Sequence, residues 1–285
     1  MDSTNLFTVT PMSRNIKLEA GQIYEGSITV ANPVDAKNDF YYKVEVAPYG
    51  VIGEEYVADL STQSNYSQIV EWIKIDNPTG KLAPNETAKV NFTITVPKTV
   101  QAGGQYAALA VHSNDEAVTD GNTMAVNNIF EIASIIYADI AGETVHDGEV
   151  LEVKIPGFVT NVPIPTSTTI INNGNTHEVA EISIEVKNAF SSTTIYSTDD
   201  EESALSEVIM PETTRYFTKD IDGMSPLGVY QVTQTVNYLG EDFVFSQTVI
   251  ACPIWFMILL AIAMAAIVTT IARSIFNRRA NKTTD

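Results

Sequence analysis

Apolar and polar residues alternate in short runs along most of the chain, separated by Gly, Pro, Asn and Asp. In KVNFTITV (89–96), Val90, Phe92, Ile94 and Val96 share one face; in EISIEVK (181–187), Ile182, Ile184 and Val186 do the same. A period of two is that of a strand with one buried face. The pattern predicts strands at 23–31, 40–47, 69–75, 88–96 and 106–112, and then at 151–155, 168–171, 180–186, 229–238 and 243–249. No stretch of the body sustains a 3.6-residue apolar period, so parallel α/β folds are not expected. Strands with one apolar face belong to antiparallel sheets packed in pairs, and the expected fold is all-β.

The pattern changes at residue 251. The run ACPIWFMILLAIAMAAIVTTIA (251–272) has no charged residue and is flanked by Asp242 and Arg273. About 20 apolar residues suffice to cross a bilayer core of roughly 30 Å. Pro253 stands near the start, where a missing N–H costs little. Trp255 and Phe256 suit the aromatic belt of a membrane interface. The segment 251–272 is therefore expected to be a transmembrane helix in contact with the lipid bilayer. The tail 273–285 carries Arg273, Arg278, Arg279 and Lys282 against Asp285, which predicts a cytoplasmic C-terminus and an extracellular body in a single-pass cell-membrane protein. That topology requires a secretion signal. Residues 1–11 have no basic or apolar signal region, so the expectation is a signal removed or left out, with Met1 then an added start.

The body repeats three marks in the same order. ITVANP (28–33) is matched by TTIINNGN (168–175), PNETAKVNFTITVP (84–97) by PETTRYFTKDI (211–221), and AGGQYAALAV (102–111) by SPLGVYQVTQTV (225–236). Two copies of one sandwich with matching corners would produce this order. The predicted organisation is two tandem Ig-like antiparallel β-sandwich domains, 1–141 and 145–250, followed by the helix 251–272 and the tail 273–285.

Charge narrows the partners. The chain has 16 basic and 35 acidic residues; removing the tail's four basic and one acidic residues leaves 12 against 34, or −22. A body this acidic is not expected to bind nucleic acid or anionic lipid through its overall field. Cys252 is the one cysteine, so no intrachain disulfide forms and stability rests on apolar cores. An exported chain of this kind fits a bacterial or archaeal surface.

His112, His146 and His177 have no partner at metal-ligand spacing. There is no Gly-x-Ser-x-Gly elbow and no P-loop. Gly103-Gly104 precedes a strand and is read as a turn. The acids at 199–202, and those at Glu54 and Glu55, lack the alternating carboxylates and Gly bend of a calcium loop and are read as solvated. The expectation is no enzyme, no metal and no cofactor.

Aromatic side chains are the remaining contact candidates. In DFYYKVEV (39–46), Phe40 and Tyr42 share a face with Val44 and Val46 and are assigned to the core. Tyr41 faces outward with Lys43 and Glu45, and Tyr49 falls in the loop after the strand. Tyr41 and Tyr49 are the ligand-face candidates. Trp72, on the strand predicted at 69–75, is assigned to the core.

FTVTP (7–11), GQIYEGSITVANP (21–33), DFYYKVEVAPYG (39–50), YSQIVEWI (66–73), PNETAKVNFTITVP and AGGQYAALAV resemble, in order and spacing, the N-terminal domain of the Gram-positive WxL-interacting proteins. INNGN, PETTRY and the anchor with its basic tail resemble that family's C-terminal part more loosely. The resemblance implies an N-terminal domain that binds peptidoglycan, a second domain that binds a host or partner surface, and work alongside WxL-bearing proteins. It brings no catalytic residues. The reading is a non-enzymatic adhesion or scaffold protein that binds peptidoglycan or another cell-wall glycan and a WxL-type or other surface protein. The alternative is a structural stalk, or an ectodomain subunit of a membrane complex, without glycan binding.

Overall fold

The computed structural model describes residues 7–52, 55–59, 64–113, 131–198 and 205–282. The chain is mostly β, with one C-terminal apolar helix. It divides into two compact units: 1–148 with 171–178 and 208–215, and 149–170 with 179–207 and 216–285.

The first unit is built on β1 (Thr8–Thr10), β2 (Ser13–Leu18), β3 (Ile23–Ala31), β4 (Phe40–Ile52), β5 (Glu55–Ala58), β6 (Ile73–Ile75), β7 (Thr79–Leu82), β8 (Thr87–Thr95), β9 (Gly103–Ser113) and β10 (Glu131–Ile140). One sheet runs β1-β3-β8-β6 and the other β2-β10-β9-β4-β5, with β7 also on β4. Ile28, Val30, Val90, Phe92 and Ile94 of the first sheet share one buried cluster with Leu18, Tyr42, Val44, Leu109, Val111 and Ile136 of the second. The two sheets form a sandwich whose inner faces supply the alternating apolar residues.

The later strands are β11 (Gly148–Lys154), β12 (Phe158–Val159), β13 (Ile164–Asn172), β14 (Glu178–Asn188), β15 (Thr194–Ser197), β16 (Leu205–Ile209), β17 (Thr213–Ile221), β18 (Gly228–Tyr238) and β19 (Glu241–Ala251). They form sheets β11-β13-β17 and β12-β19-β18-β14-β15, with β16 also on β14. Ile164, Ile184, Val186, Ile221, Val232 and Val249 belong to the second unit's core. The topology of the first half recurs. In each half a short early strand joins the last strand in parallel, β2 with β10 and β12 with β19. The three repeated marks fall on β3 and β13, β8 and β17, and β9 and β18.

Several expectations need correction. Residues 68–72 form a 3-10 turn, and only Ile73–Ile75 is strand. Its apolar residues fit a buried turn as well as a strand, and Ile69 and Trp72 both pack on the core. β4 runs through Pro48 to Ile52, so Tyr49 lies on a strand and not in a loop. Pro48 is the last residue of β4 paired with β9, and Tyr49 the first paired with β5, so the missing N–H falls where the pairing changes sides. Gly103 and Gly104 open β9 and pair with β10; they are not a turn. Ala251 still pairs in β19, and the helix, α1, spans Ile254–Lys282. Pro253 cannot continue the ladder as a donor, and its carbonyl accepts from the Phe256 and Met257 N–H groups of the first helical turn.

The stretch Ile254–Ser274 of this helix is 21 residues long, apolar enough to cross a membrane and without buried positions. At about 1.5 Å per residue it matches a hydrocarbon core of roughly 30 Å.

Candidate functional site

The outward face of β4, β9 and β10 is graded along the strands. Register places Tyr106 beside Tyr137, Ala108 beside Ile135, Ala110 beside Ala133 and His112 beside Glu131. On the other side of β9, Ala47 pairs with Ala108, Glu45 with Ala110 and Lys43 with His112. Tyr49 follows Ala47 on the same face because side chains repeat every second residue. One end of the face is therefore aromatic, the middle is small, and the far end is charged.

At the aromatic end a cavity of about 430 Å³ opens within the first unit, lined by Tyr49, Ser64, Asn65, Tyr66, Tyr106 and Glu212 among others. Tyr49 is stacked on Tyr56 at 5.8 Å and meets the edge of Tyr137 at 6.0 Å. The Arg215 guanidinium lies 4.2 Å from the Tyr56 ring centre, and Tyr56 Oη donates to the Val208 carbonyl. Tyr49 is thus backed by rings whose own positions are fixed, which limits the entropy lost when a ligand settles on it.

The opposite wall is held by Gln105. This residue shares the inward parity of Ala107, Leu109 and Val111 and is 4% exposed. Its Nε2 donates to the Asn65 carbonyl (2.9 Å), and its Oε1 accepts from the Ile69 N–H (3.1 Å). The Tyr106 N–H donates to the Tyr66 carbonyl at 2.7 Å. A buried amide with both ends satisfied fixes the 64–69 segment against β9.

The chemistry of the pocket is mixed. Burial, and then the hydrogen bond and charge of Glu212, push the Tyr66 hydroxyl up to about 12. Burial, followed by Asp139, pushes Tyr106 higher still, and burial with Tyr49 raises Tyr137. All three phenols remain protonated donors at neutral pH. Ring faces, hydroxyls, an amide and one carboxylate suit a neutral or amine-bearing polar ligand with flat apolar faces, such as a sugar.

His177 lies behind this wall. Its Nδ1 is 3.3 Å from Tyr106 Oη, and its ring lies 5.2 Å from that of Tyr137. Burial lowers its pKa, while Asp139 opposes the shift. His112 lies 3.5 Å from both Glu45 and Glu131, and His146 Nδ1 is 2.6 Å from Glu178 Oε1. Among the described residues no three His, Cys, Asp or Glu side chains are placed to hold a metal. The acids at 199–202 and Glu54 lie outside the described residues.

Of the two sequence candidates, Tyr49 lines the cavity. Tyr41 is on the same face of β4 but outside the cavity lining; it is 43% exposed, with Lys81 Nζ 5.3 Å from its ring centre. Sequence reasoning missed Tyr66, Tyr106 and Gln105. Gln105 left a mark, a polar side chain at an inward position of an apolar strand, and Tyr106 another, the Gly-x-Tyr spacing that AGGQYAALAV shares with SPLGVYQVTQTV; Tyr66 left none.

No family model and no curated protein sequence matches the chain. Among solved structures it is similar to a chain of the CsuC–CsuE chaperone–tip adhesion subunit pre-assembly complex from Acinetobacter baumannii Csu pili, with a TM-score of 0.40 and 16% identity over 86% of this chain and 99% of that one. It is also similar to a chain of the Salmonella enterica SafA pilin complex with the SafB chaperone, at 0.40 and 13% over 87% and 98%. The E. coli chaperone DraB gives 0.38 and 10% over 85% and 97%. At these scores and identities the similarity fixes neither the function nor the partner of this chain.

Proposed function

We propose that this chain is a non-enzymatic, membrane-anchored cell-surface protein whose first unit binds cell-wall glycan at the Tyr49 pocket. Its body is two tandem Ig-like sandwiches, outside the cell, and α1 is its single transmembrane anchor. The observation that carries the binding reading is the pocket itself: Tyr49, backed by Tyr56 and Tyr137, faces a wall of Tyr66, Asn65 and Glu212. Aromatic planes take the apolar faces of sugar rings, and the polar rim takes hydroxyls and amides. The resemblance of the first half to WxL-interacting proteins points to peptidoglycan as the polymer and to a surface protein as a second partner. The anchor reading rests on apolar side chains left exposed along α1, with Ile262 61% and Val268 64% exposed. Lipid is the solvent that favours such a surface. The basic residues at 273–282 support a cytoplasmic C-terminus.

The test is co-sedimentation of the full chain, reconstituted in nanodiscs, with purified peptidoglycan sacculi. Pelleting with sacculi but not with cellulose supports the reading. Failure to pellet with sacculi at micromolar protein rejects it.

A further inference from the structure

β19 passes into α1 with little chain between them. Ala251 still pairs with Gly228, the Cys252 N–H donates to the Val159 carbonyl at 2.9 Å, and α1 begins at Ile254. The steps from Ala251 to Ile254 span no more than about 11 Å. One end of the sheet that holds β12, β19, β18 and β14 therefore lies next to the start of the apolar helix. Register defines what that end carries. Phe158 stands beside Ile250, Ile250 beside Val229, and the Ala189 N–H donates to the Val229 carbonyl at 3.0 Å. These residues form one row across β12, β19, β18 and the turn after β14. Phe190 and Leu227 lie in loops just beyond the row.

Four apolar side chains at this end are left in the open: Phe158 is 50%, Phe190 83%, Leu227 43% and Ile250 47% exposed. The Phe190 side chain is not needed by its own turn. Asn188 Oδ1 accepts from the Phe190 and Ser191 N–H groups, at 2.9 and 3.1 Å, and holds the turn without it. Charge is sorted along the same strands. Residues 155–165, 188–198, 223–240 and 243–272 contain no Asp, Glu, Lys or Arg. The opposite end carries an acidic row, with Glu181 beside Asn237, Asn237 beside Asp242, and Glu241 next in the chain. In so acidic a body, an end whose loops are apolar and free of charge is suited to a low-dielectric neighbour.

We infer that this end of the second unit is a lipid-contacting foot, in which Phe158, Phe190, Leu227 and Ile250 enter the interfacial layer of the bilayer that α1 crosses. Aromatic and aliphatic side chains gain by leaving water for that layer, and no charge has to be carried into it. Contacts from four separate segments hold the second unit against tilting and keep the row of Glu181 and Asp242 in water. The inference rests on α1 being a membrane anchor and goes beyond it, because an anchor alone would leave the loops at 158, 190 and 227 in water. It uses neither the Tyr49 pocket nor the glycan.

The test uses the full chain with Cys252→Ser, which removes the single cysteine, in phosphatidylcholine nanodiscs. Phe190→Cys, Glu241→Cys and Ile258→Cys are introduced one at a time and labelled with bimane. Quenching by a lipid that carries a nitroxide just below its headgroup is then read by fluorescence. The label at 190 is expected to be quenched at least about threefold more than the label at 241, with the label at 258, near the start of α1, as the reference for insertion. Adding Phe158→Glu and Leu227→Glu should lower quenching at 190 about twofold or more, because a carboxylate resists entry into the interface. Quenching at 258 but not at 190 overturns the foot and leaves the anchor standing. No quenching at 258 overturns both. Quenching at 190 that the two substitutions leave unchanged belongs to the label, and it too overturns the foot.

Discussion

Asn32 and Asn172 make the same pair of hydrogen bonds in successive halves of the chain. Asn32 Nδ2 donates to the carbonyls of Asn38 and Leu82, at 3.0 and 3.1 Å. Asn172 Nδ2 donates to those of Thr176 and Ile209, at 2.8 and 2.9 Å. Leu82 and Ile209 each stand two residues before a proline, Pro84 and Pro211. The residue after each proline, Asn85 or Glu212, has positive φ, 67° and 57°. The weak sequence repeat is thus a repeated clamp, in which a buried amide ties the end of one strand to the turn before another. Removing the amide strands two carbonyls. Asn32→Ala and Asn172→Ala should each cost about 1–3 kcal/mol, measured by urea unfolding in detergent, against a smaller loss for Asn38→Ala, which keeps its backbone carbonyl.

The Gly-x-Tyr mark has an equally local cause. A methyl group at Gly104 would overlap the Tyr106 hydroxyl, and one at Gly228 the Tyr230 hydroxyl. Each tyrosine folds back over the glycine two residues earlier. Gly104→Ala should displace the Tyr106 ring from the pocket wall and cost about 1–3 kcal/mol by overpacking. Near-ultraviolet circular dichroism and urea unfolding check this together.

His177 sets an acid dependence. Burial holds its pKa below 6.5 in the folded chain. Above 6.5 both folded and unfolded states carry it neutral, and its contribution is complete. As pH falls below 6.5 the unfolded chain takes the proton first, so stability declines until the folded pKa is passed. The stability difference between pH 7 and pH 5 should shrink in His177→Gln relative to the parent chain, as read by urea midpoints at both values.

Tyr66 sets the corresponding alkaline limit. Its pKa is raised to about 12 by burial and then by Glu212, so its contribution is full below 10 and lost as pH rises toward 12. Glu212→Gln removes the charge but keeps the burial. Ultraviolet titration of the phenols should show one tyrosine moving to lower pH in that variant. Replacing Tyr66 by Phe should abolish the shifted transition.

Much of the scaffold was legible because a half-buried strand writes its period into the chain. Val90, Phe92, Ile94 and Val96 are all buried, as are Ile182, Ile184 and Val186. Tyr42 is buried and Tyr41 exposed, as the parity of β4 requires. What failed was local. The apolar spacing of Ile69, Val70 and Trp72 serves a 3-10 turn as well as a strand, and a proline mid-strand reads as a stop unless the change of partner around it is known. The pocket was mostly illegible for a different reason. Tyr49, Tyr66, Tyr106 and Glu212 come from four distant segments, and the three tyrosines meet through the register of β4 on β9 and the Gln105 clamp on the 64–69 segment.

Sacculus co-sedimentation with two tyrosine variants tests the binding claim most directly. Tyr49→Ala should weaken binding about tenfold or more, the usual loss when a central aromatic contact is truncated, while Tyr41→Ala, outside the cavity, should change it less than about twofold. Undiminished binding by Tyr49→Ala, with the fold intact by circular dichroism, would contradict the assignment of the pocket.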